Sequence, residues 1–526
     1  MEQKYPQTDH GWPGQAAPGR LLTGLYLLSL LVLVLAAALV DGPWDVDGSY
    51  YFLVARNLAQ GRGLTVEAIW HFFQPPSSLP QPAGDLWMPL PSLLMAPALL
   101  FGSTFRFAQA AQVLLAALLP LLSFRFARDA GASLPWAALA GLLTTFAGIV
   151  TLHWVDSDCY TAYALVGGAA LYAMGRAESG PRWLLPAGLL GGLAALTRND
   201  GLLLLFVLWA TAFLFSRHRR TAFPWKMLLG GTALFLLPVL LWYGRNVLLF
   251  GQPTPIPLSF LLTLRDYRHL LAYRPQADWA TFWGQGLGAL LSVRLSALKA
   301  ALTVLAGDFQ LWELLPLLLT LLLLRRRPLL WPAFFYLGVL LLALVGAFPL
   351  LVLHGTWSRS LPAFLPAGYA SVALGLEHLA EGLSRRLAPQ TPRRVHIPLL
   401  ALMAAIALLV GLVAGSRQLE TVRSNPSLWQ EVGDWLRQHT PAGTVVMAQD
   451  PMAIVLYGER PAIGIPYEEP PRLLEIARQY GVKEMVLVGR FSGLWPETLC
   501  RLYAGESVPP FTLLWEEGEV RIYRVE

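Results

Sequence analysis

Leu21-Leu22-Thr23-Gly24-Leu25-Tyr26-Leu27-Leu28-Ser29-Leu30-Leu31-Val32-Leu33-Val34-Leu35-Ala36-Ala37-Ala38-Leu39-Val40 is an unbroken run without a charged side chain. It is about 20 residues long, the length an α-helix needs to cross a hydrocarbon core roughly 30 Å thick. Lys4 and Arg20 precede it and no small-residue cleavage site follows. The positive-inside bias therefore predicts a cytoplasmic N-terminus and an uncleaved membrane helix, so the next segment begins outside.

Similar runs cover residues 107–124, 134–152, 160–175, 183–197, 201–216, 227–244, 309–324, 329–353, 361–376 and 397–416, about 11 spans by length. Charge tests that threading. The connections assigned inside carry Arg125, Arg128, Arg176, Arg182, Arg217, Arg219, Arg220, Lys226, the triplet Arg325, Arg326 and Arg327, and Arg385, Arg386, Arg393 and Arg394. Short outside turns carry single arginines, Arg198 and Arg359. An odd number of spans places the C-terminus outside, and the expected location is a multi-pass cell (plasma) membrane protein with an extracytoplasmic tail.

With 55% apolar and 14% charged residues, the composition lies far from that of a soluble domain. The net charge of +6 is mostly arginine on the cytoplasmic side, and no aromatic-interleaved basic stripe suggests nucleic acid. Two cysteines, Cys159 and Cys500, are too few for a disulfide framework.

The expected fold is mainly α: a polytopic helical membrane domain over residues 1–416 and a small extracytoplasmic α/β domain over 417–526. Two large outer loops interrupt the membrane domain. The first, 41–106, is rich in Pro, Trp and Phe, a composition suited to the headgroup region. The second, 245–308, ends in a pattern over 279–299 that reads as an amphipathic helix resting on the membrane. In the tail, 429–439 and 472–480 read as helices, 444–447 and 484–488 as buried strands, and 511–515 with 520–525 as a terminal hairpin. The tail reads either as a lid or acceptor-binding module or as a structural one.

Chemistry is expected where polar residues are held against the membrane face. After the first span the chain reads Trp44-Asp45-Val46-Asp47-Gly48-Ser49-Tyr50-Tyr51. A carboxylate among such rings is partly desolvated, which raises its proton affinity and suits Asp47 to be a general base. The alternative is that Asp45 or Asp47 merely caps the helix starting near Ser49.

Asp47, Tyr51, Ala55 and Arg56 resemble, at the same spacing, the Asp-Glu-x-x-Tyr-x-x-x-Ala-Arg signature of C-type glycosyltransferases of the protein O-mannosyltransferase and aminoarabinose transferase kind. Pro89-Leu90 stands where that family has His-Pro-Pro-Leu, and Thr197-Arg198-Asn199-Asp200-Gly201 is similar to its Thr-Arg-x-Asp-Gly stretch. Residues 242–253 and 359–366 resemble later membrane-edge segments. Two departures stand out: Gly48 replaces a Glu, and Trp87-Met88 replace a His-Pro. The resemblance implies inverting transfer of a sugar from a polyprenyl-phosphate donor to a protein, lipid or glycan acceptor, with Asp47 as base. Tyr51 and Arg56 are implied to line the substrate site.

A phosphate leaving group needs cations rather than an acid, and arginine's planar fork suits phosphate oxygens. Arg198, Arg245 and Arg359 are the candidates at outer helix ends; snorkelling, or pairing of Arg198 with Asp200, is the alternative. The outer turn His153-Trp154-Val155-Asp156-Ser157-Asp158 offers two carboxylates that, with Asp47, are candidates to hold a divalent cation such as Mg or Mn. It is similar to the Asp-x-Asp element of oligosaccharyltransferases. Acceptor binding by Asp156 and Asp158, or a plain solvated turn, are the alternatives, and no cofactor is required by default. The rival reading of the whole chain is a transporter or flippase of a polyprenyl-linked glycan, or a degenerate scaffold. A transporter calls for internal repeats meeting at mid-membrane, and no such repeat is evident.

Overall fold

The computed structural model describes residues 18–387, 390–489 and 497–525; Lys4 lies outside the described residues. The first apolar run forms α1 (Pro18–Ala38), with Leu27, Leu31 and Leu35 more than half exposed toward lipid and Leu33, Ala36 and Ala37 turned inward. Its open C-terminal carbonyls are closed by Arg106, which donates to Ala37 O at 2.7 Å and Val40 O at 2.8 Å, as a cation at a helix C-terminus does well. A short helix, α2 (Val46–Ala59), follows.

The bundle continues through α3 (Leu90–Leu99), α4 (Phe105–Ala116), α5 (Leu119–Asp129), α6 (Leu134–Thr145), α7 (Ile149–His153), α8 (Tyr160–Arg176), α9 (Leu184–Ala195), α10 (Leu203–Arg219) and α11 (Trp225–Phe250). The second outer loop holds α12 (Leu258–Leu262), α13 (Trp279–Gly284) and α14 (Gly286–Asp308). Then come α15 (Leu314–Leu323), α16 (Trp331–Ala347), α17 (Pro349–Leu353), α18 (Thr356–Ser360) and α19 (Leu365–Leu387). Small residues let helices close up: a Cβ on Gly188 of α9 would fall 1.9 Å from the Gly231 carbonyl oxygen of α11. In lipid, where apolar side chains gain nothing by leaving solvent, such backbone approach is what holds helices together.

Seven helical stretches among the described residues are long and apolar enough to cross a membrane, against the about 11 spans expected by length. The difference lies in the inner helices. At 17, 12 and 10 residues, α8, α9 and α15 are shorter than the criterion, while α19 is almost wholly buried along its first three turns and carries charge at its end. The expected span at 309–324 is also cut short. Gln310 and Leu311 adopt left-handed φ of 48° and 58°, so the helix starts only at Leu314.

The amphipathic pattern at 279–299 becomes two helices, broken where Gly286 takes φ +79°. One of them, α14, is long enough to span, yet its middle and its C-terminal residue meet the same end of the bundle. Arg294 donates to Gly346 O at the C-terminal end of α16, and Asp308 O accepts from Tyr369 near the start of α19. It therefore lies along the bundle end, as an interfacial helix does.

A 47-residue helix, α20 (Arg393–His439), runs out of the membrane into the tail, so the expected boundary at residue 416 falls inside a helix. The tail adds α21 (Pro451–Ala453), α22 (Pro470–Tyr480) and α23 (Glu497–Tyr503). Its strands are completed from elsewhere. The loop after α2 supplies β2 (Ala68–Ile69), while its β1 (Thr65–Val66) and β3 (Gln81–Pro82) pair only with each other; the tail supplies β4 (Val445–Ala448), β5 (Ala462–Gly464), β6 (Val482–Val488), β7 (Phe511–Glu517) and β8 (Val520–Val525). The six-stranded sheet has the order β2-β5-β4-β6-β8-β7, parallel from β2 to β6 and antiparallel beyond. Ile69 and Phe72 of the first loop are buried in the tail's core beside Met447, Ile463 and Met485. Each such apolar side chain contributes about 2 kcal/mol by its burial, so loop and tail form one body over the end of the bundle.

Candidate active site

The start of α2 sets the site. Asp45 takes extended backbone angles (φ −138°, ψ 170°) and its Oδ1 accepts from Gly48 N at 2.7 Å. It is the N-cap, and this leaves Asp47, one residue into the first turn, free to face outward. The capping reading of the motif is thus met by Asp45.

Across from it, the turn between α7 and α8 contributes Asp156 and Asp158, and α18 contributes Arg359. The guanidinium reaches three carboxylates: Nη2 to Asp45 Oδ2 at 2.5 Å, Nε to Asp47 Oδ2 at 2.8 Å and Nε to Asp158 Oδ2 at 2.9 Å. Asp45, Asp47 and Arg359 keep 24%, 25% and 19% of their side-chain surface exposed, whereas Asp158 keeps none. The site is therefore open at its mouth and sealed beneath.

Four carboxylates around one guanidinium cannot all carry charge comfortably. Burial, then the neighbouring Asp158 and Asp47 charges, push Asp45 up to about 7 against the pull of Arg359. Asp47 is raised by burial, opposed by Arg359 and by the Trp87 hydrogen bond. Burial acts on Asp158 too, but Arg359 and the Cys159 backbone N–H outweigh it and hold Asp158 below the ordinary carboxylate range. Asp156 is driven well above that range by burial and by Asp45 and Asp158. The cluster thus sorts into a carboxyl held low beside Arg359 (Asp158), a buried one driven well up (Asp156) and two raised carboxyls at the mouth.

Gly48 explains how Asp156 fits. A Cβ at residue 48 would lie 3.0 Å from Asp156 Oδ2 and 3.1 Å from Asp45 Oδ1. The space a side chain there would fill is taken by the Asp156 carboxyl, whose Oδ1 accepts from Ser157 N at 2.7 Å and whose Oδ2 is buried without a partner. Ser157 Oγ in turn donates to Gly48 O at 2.8 Å.

The other expected residues divide. Tyr51 is buried within electrostatic reach of Asp158, Asp47 and Arg198. Arg198 sits behind Arg359, donating through Nε to Asp200 Oδ1 at 2.8 Å and through Nη2 to Ser360 Oγ at 3.3 Å, so it is neutralised by Asp200. Arg56 lies nine residues along α2 from Asp47, about 13 Å away along the axis, facing Glu67. Arg245 stacks over Trp242, 4.5 Å from the ring centre, beside Tyr50 and Asp85. Neither joins the cluster.

Among the described residues no three His, Cys, Asp or Glu side chains are grouped to hold a metal ion. Asp47 and Asp158 converge on Arg359 instead, and Asp156 points at the Gly48 gap. The expected set of Asp47, Asp156 and Asp158 does not fit a divalent cation in this arrangement, because a guanidinium stands where the ion would.

Three residues complete the mouth without having been marked from sequence. Trp87 Nε1 donates to Asp47 Oδ1 at 2.9 Å. Tyr267 stacks on His354 at 3.8 Å between ring centres and lies near Asp47 and Arg359. Asp450, from the tail, caps α21 through Ala453 N at 2.9 Å and is pushed up to about 6 by burial, with Asp47 adding to the rise. The readable signal for Asp450 was its place at the C-terminal end of a parallel strand, where ligands of such sheets bind.

The helical bundle, with a carboxylate cluster at one end and a small α/β tail over it, has solved counterparts. The chain has the fold of ArnT from Cupriavidus metallidurans, whose crystal structure bound to undecaprenyl phosphate superposes with a TM-score of 0.61 at 15% identity, covering 97% of this chain and 99% of that one. The apo form of the same protein gives a TM-score of 0.62 at 14% identity over 96% and 98% of the two chains. The archaeal oligosaccharyltransferase AglB from Archaeoglobus fulgidus, in complex with an inhibitory peptide and a dolichol-phosphate, gives 0.51 at 14% identity over 87% of this chain and 69% of that one. No family model and no curated protein sequence matches the chain.

Proposed function

We propose that the protein transfers a sugar from a polyprenyl-phosphate donor to an acceptor hydroxyl or amine at the outer membrane face, with inversion at the sugar carbon and Asp47 as general base. The observation that carries this reading is the Asp47 carboxylate: raised in proton affinity, a quarter exposed, and set at the mouth of a site in a fold whose solved relatives hold undecaprenyl phosphate and dolichol-phosphate.

Asp47 takes the acceptor's proton as the acceptor attacks. The phosphate leaves without protonation, so the remaining need is positive charge at its oxygens. Arg359 is the group at the mouth that meets it. In this arrangement it is shared among three carboxylates, and protonation of Asp45, which titrates near neutrality, frees one arm of its fork for a phosphate oxygen. In this reading the cation at the departing phosphate is Arg359 of the chain itself.

The test is turnover by the purified full chain with a panel of undecaprenyl-phosphate sugars and a mixed lipid and peptide acceptor set, with and without EDTA. The expected result is transfer from at least one donor, unchanged by chelation. No transfer from any donor favours the transporter reading, and loss with EDTA refutes the metal-free one.

A further inference from the structure

The Asp47 carboxylate has one hydrogen-bond donor among the described residues, and it is not an arginine. Arg359 directs its hydrogen bonds to Asp158 and Asp45 and touches Asp47 only as an ion pair. The directed bond comes from the Trp87 indole N–H, at 2.9 Å to Oδ1. An ion pair alone leaves a short carboxylate free to rotate, whereas an N–H aimed at one oxygen selects one rotamer.

The indole that makes this bond is clamped. It stacks on Tyr50 at 4.3 Å with an interplanar angle of 26° and meets Trp70 edge-on at 5.6 Å. Tyr50 is itself fixed, on α2 and through Gly84 N to its Oη at 2.7 Å. Trp70 directly follows β2, which is hydrogen-bonded into the tail's sheet. Trp87 is 8% exposed, so its ring has no other place to go.

We propose that Trp87 is the positioning residue of the base: its indole N–H holds Asp47 Oδ1, which leaves Oδ2, paired with Arg359 in this arrangement, as the oxygen that meets the acceptor once the guanidinium turns to the donor phosphate, and the tail braces that indole through Trp70. This rests on the reading of Asp47 as base given above. It also assigns the tail a part in catalysis beyond covering the site.

Trp87→Phe keeps the stacked ring and removes the donor; Trp87→His keeps a ring N–H. With the donor that the wild-type protein turns over, Trp87→Phe lowers kcat roughly ten- to a hundred-fold, the range for losing a hydrogen bond to a charged group. Its donor KM stays within about two-fold, because the lost contact is not to the donor, and Trp87→His recovers most of kcat. A phenylalanine variant with wild-type kcat, or a histidine variant as slow as the phenylalanine one, overturns the proposal.

A second readout does not depend on turnover. Thermal midpoints of the full chain in detergent are compared for Asp47→Ala, Trp87→Phe and the double variant, since alanine, unlike asparagine, leaves no acceptor for the indole. A real bond makes the double variant lose less than the sum of the single losses, and additive losses overturn the proposal. Should no donor be used, the transferase reading fails, and the thermal cycle still decides whether Trp87 holds Asp47.

Discussion

Replacing Arg359 by Met keeps an unbranched side chain and removes the guanidinium that touches Asp45, Asp47 and Asp158. Deleting one partner of a buried ion pair costs about 3–5 kcal/mol, because the charge left behind is uncompensated. Two of the three carboxylates are about a quarter exposed, so water takes up part of the loss and about 3 kcal/mol is expected near pH 8. The loss depends on pH in a defined sense. Asp45 stands at about 7, above its unfolded value, even with Arg359 present. A carboxyl raised in the folded state favours folding at low pH and loses that contribution as pH rises through its folded value. Without Arg359, Asp45 and Asp47 rise further and take up protons as the pH falls from about 8 toward 5, which relieves the variant. The wild type gains less over the same interval because Asp158, held low by Arg359, stays ionised. The gap should therefore narrow to about half near pH 5. Thermal midpoints of wild type and Arg359→Met in one detergent, across that interval, measure it. A gap that is constant with pH, or wider in acid, refutes the sorting of charge in the cluster.

Further expectations concern single positions. Asp156→Asn should cost less stability than Asp158→Asn, because burial and the neighbouring carboxylates favour the protonated form of Asp156, whereas Asp158→Asn should cost about 3 kcal/mol; equal thermal shifts would contradict the assignment. Gly48→Glu drives a side chain into the Asp156 carboxyl and should lower turnover at least ten-fold, with Gly48→Glu/Asp156→Gly recovering part of it, as steady-state rates will tell. Arg359→Ala should raise donor KM more than Arg359→Lys if the fork holds phosphate; equal effects in donor titrations would argue against a bidentate contact.

The membrane character, the two long loops and most of the acidic cluster are readable in the chain, because each depends on local length, charge or spacing. The Asp47 turn is an example: a cap, an acid and an aromatic run within ten residues carry their own instructions. What escapes is pairing over distance. Nothing in Ala68-Ile69 marks a two-residue strand as the edge of a sheet whose next strand starts at Ala462. Trp87 stands out in sequence only as a departure from a family pattern, which does not reveal its partner, since the bond to Asp47 exists only once α2 and that loop are packed. Arg56 falls outside the cluster because a motif gives spacing without direction: nine residues along a helix carry a side chain away from it. The expected span at 309–324 failed because apolarity does not report the left-handed turn at Gln310 and Leu311.

The measurement that bears most directly on the role of Asp47 is single-turnover sugar transfer by wild type and Asp47→Asn, with undecaprenyl phosphate binding followed in the same preparations. Loss of the base should slow transfer by roughly a hundred-fold or more while leaving lipid affinity within about two-fold. Transfer at the wild-type rate in Asp47→Asn would remove the base from the mechanism and the account with it.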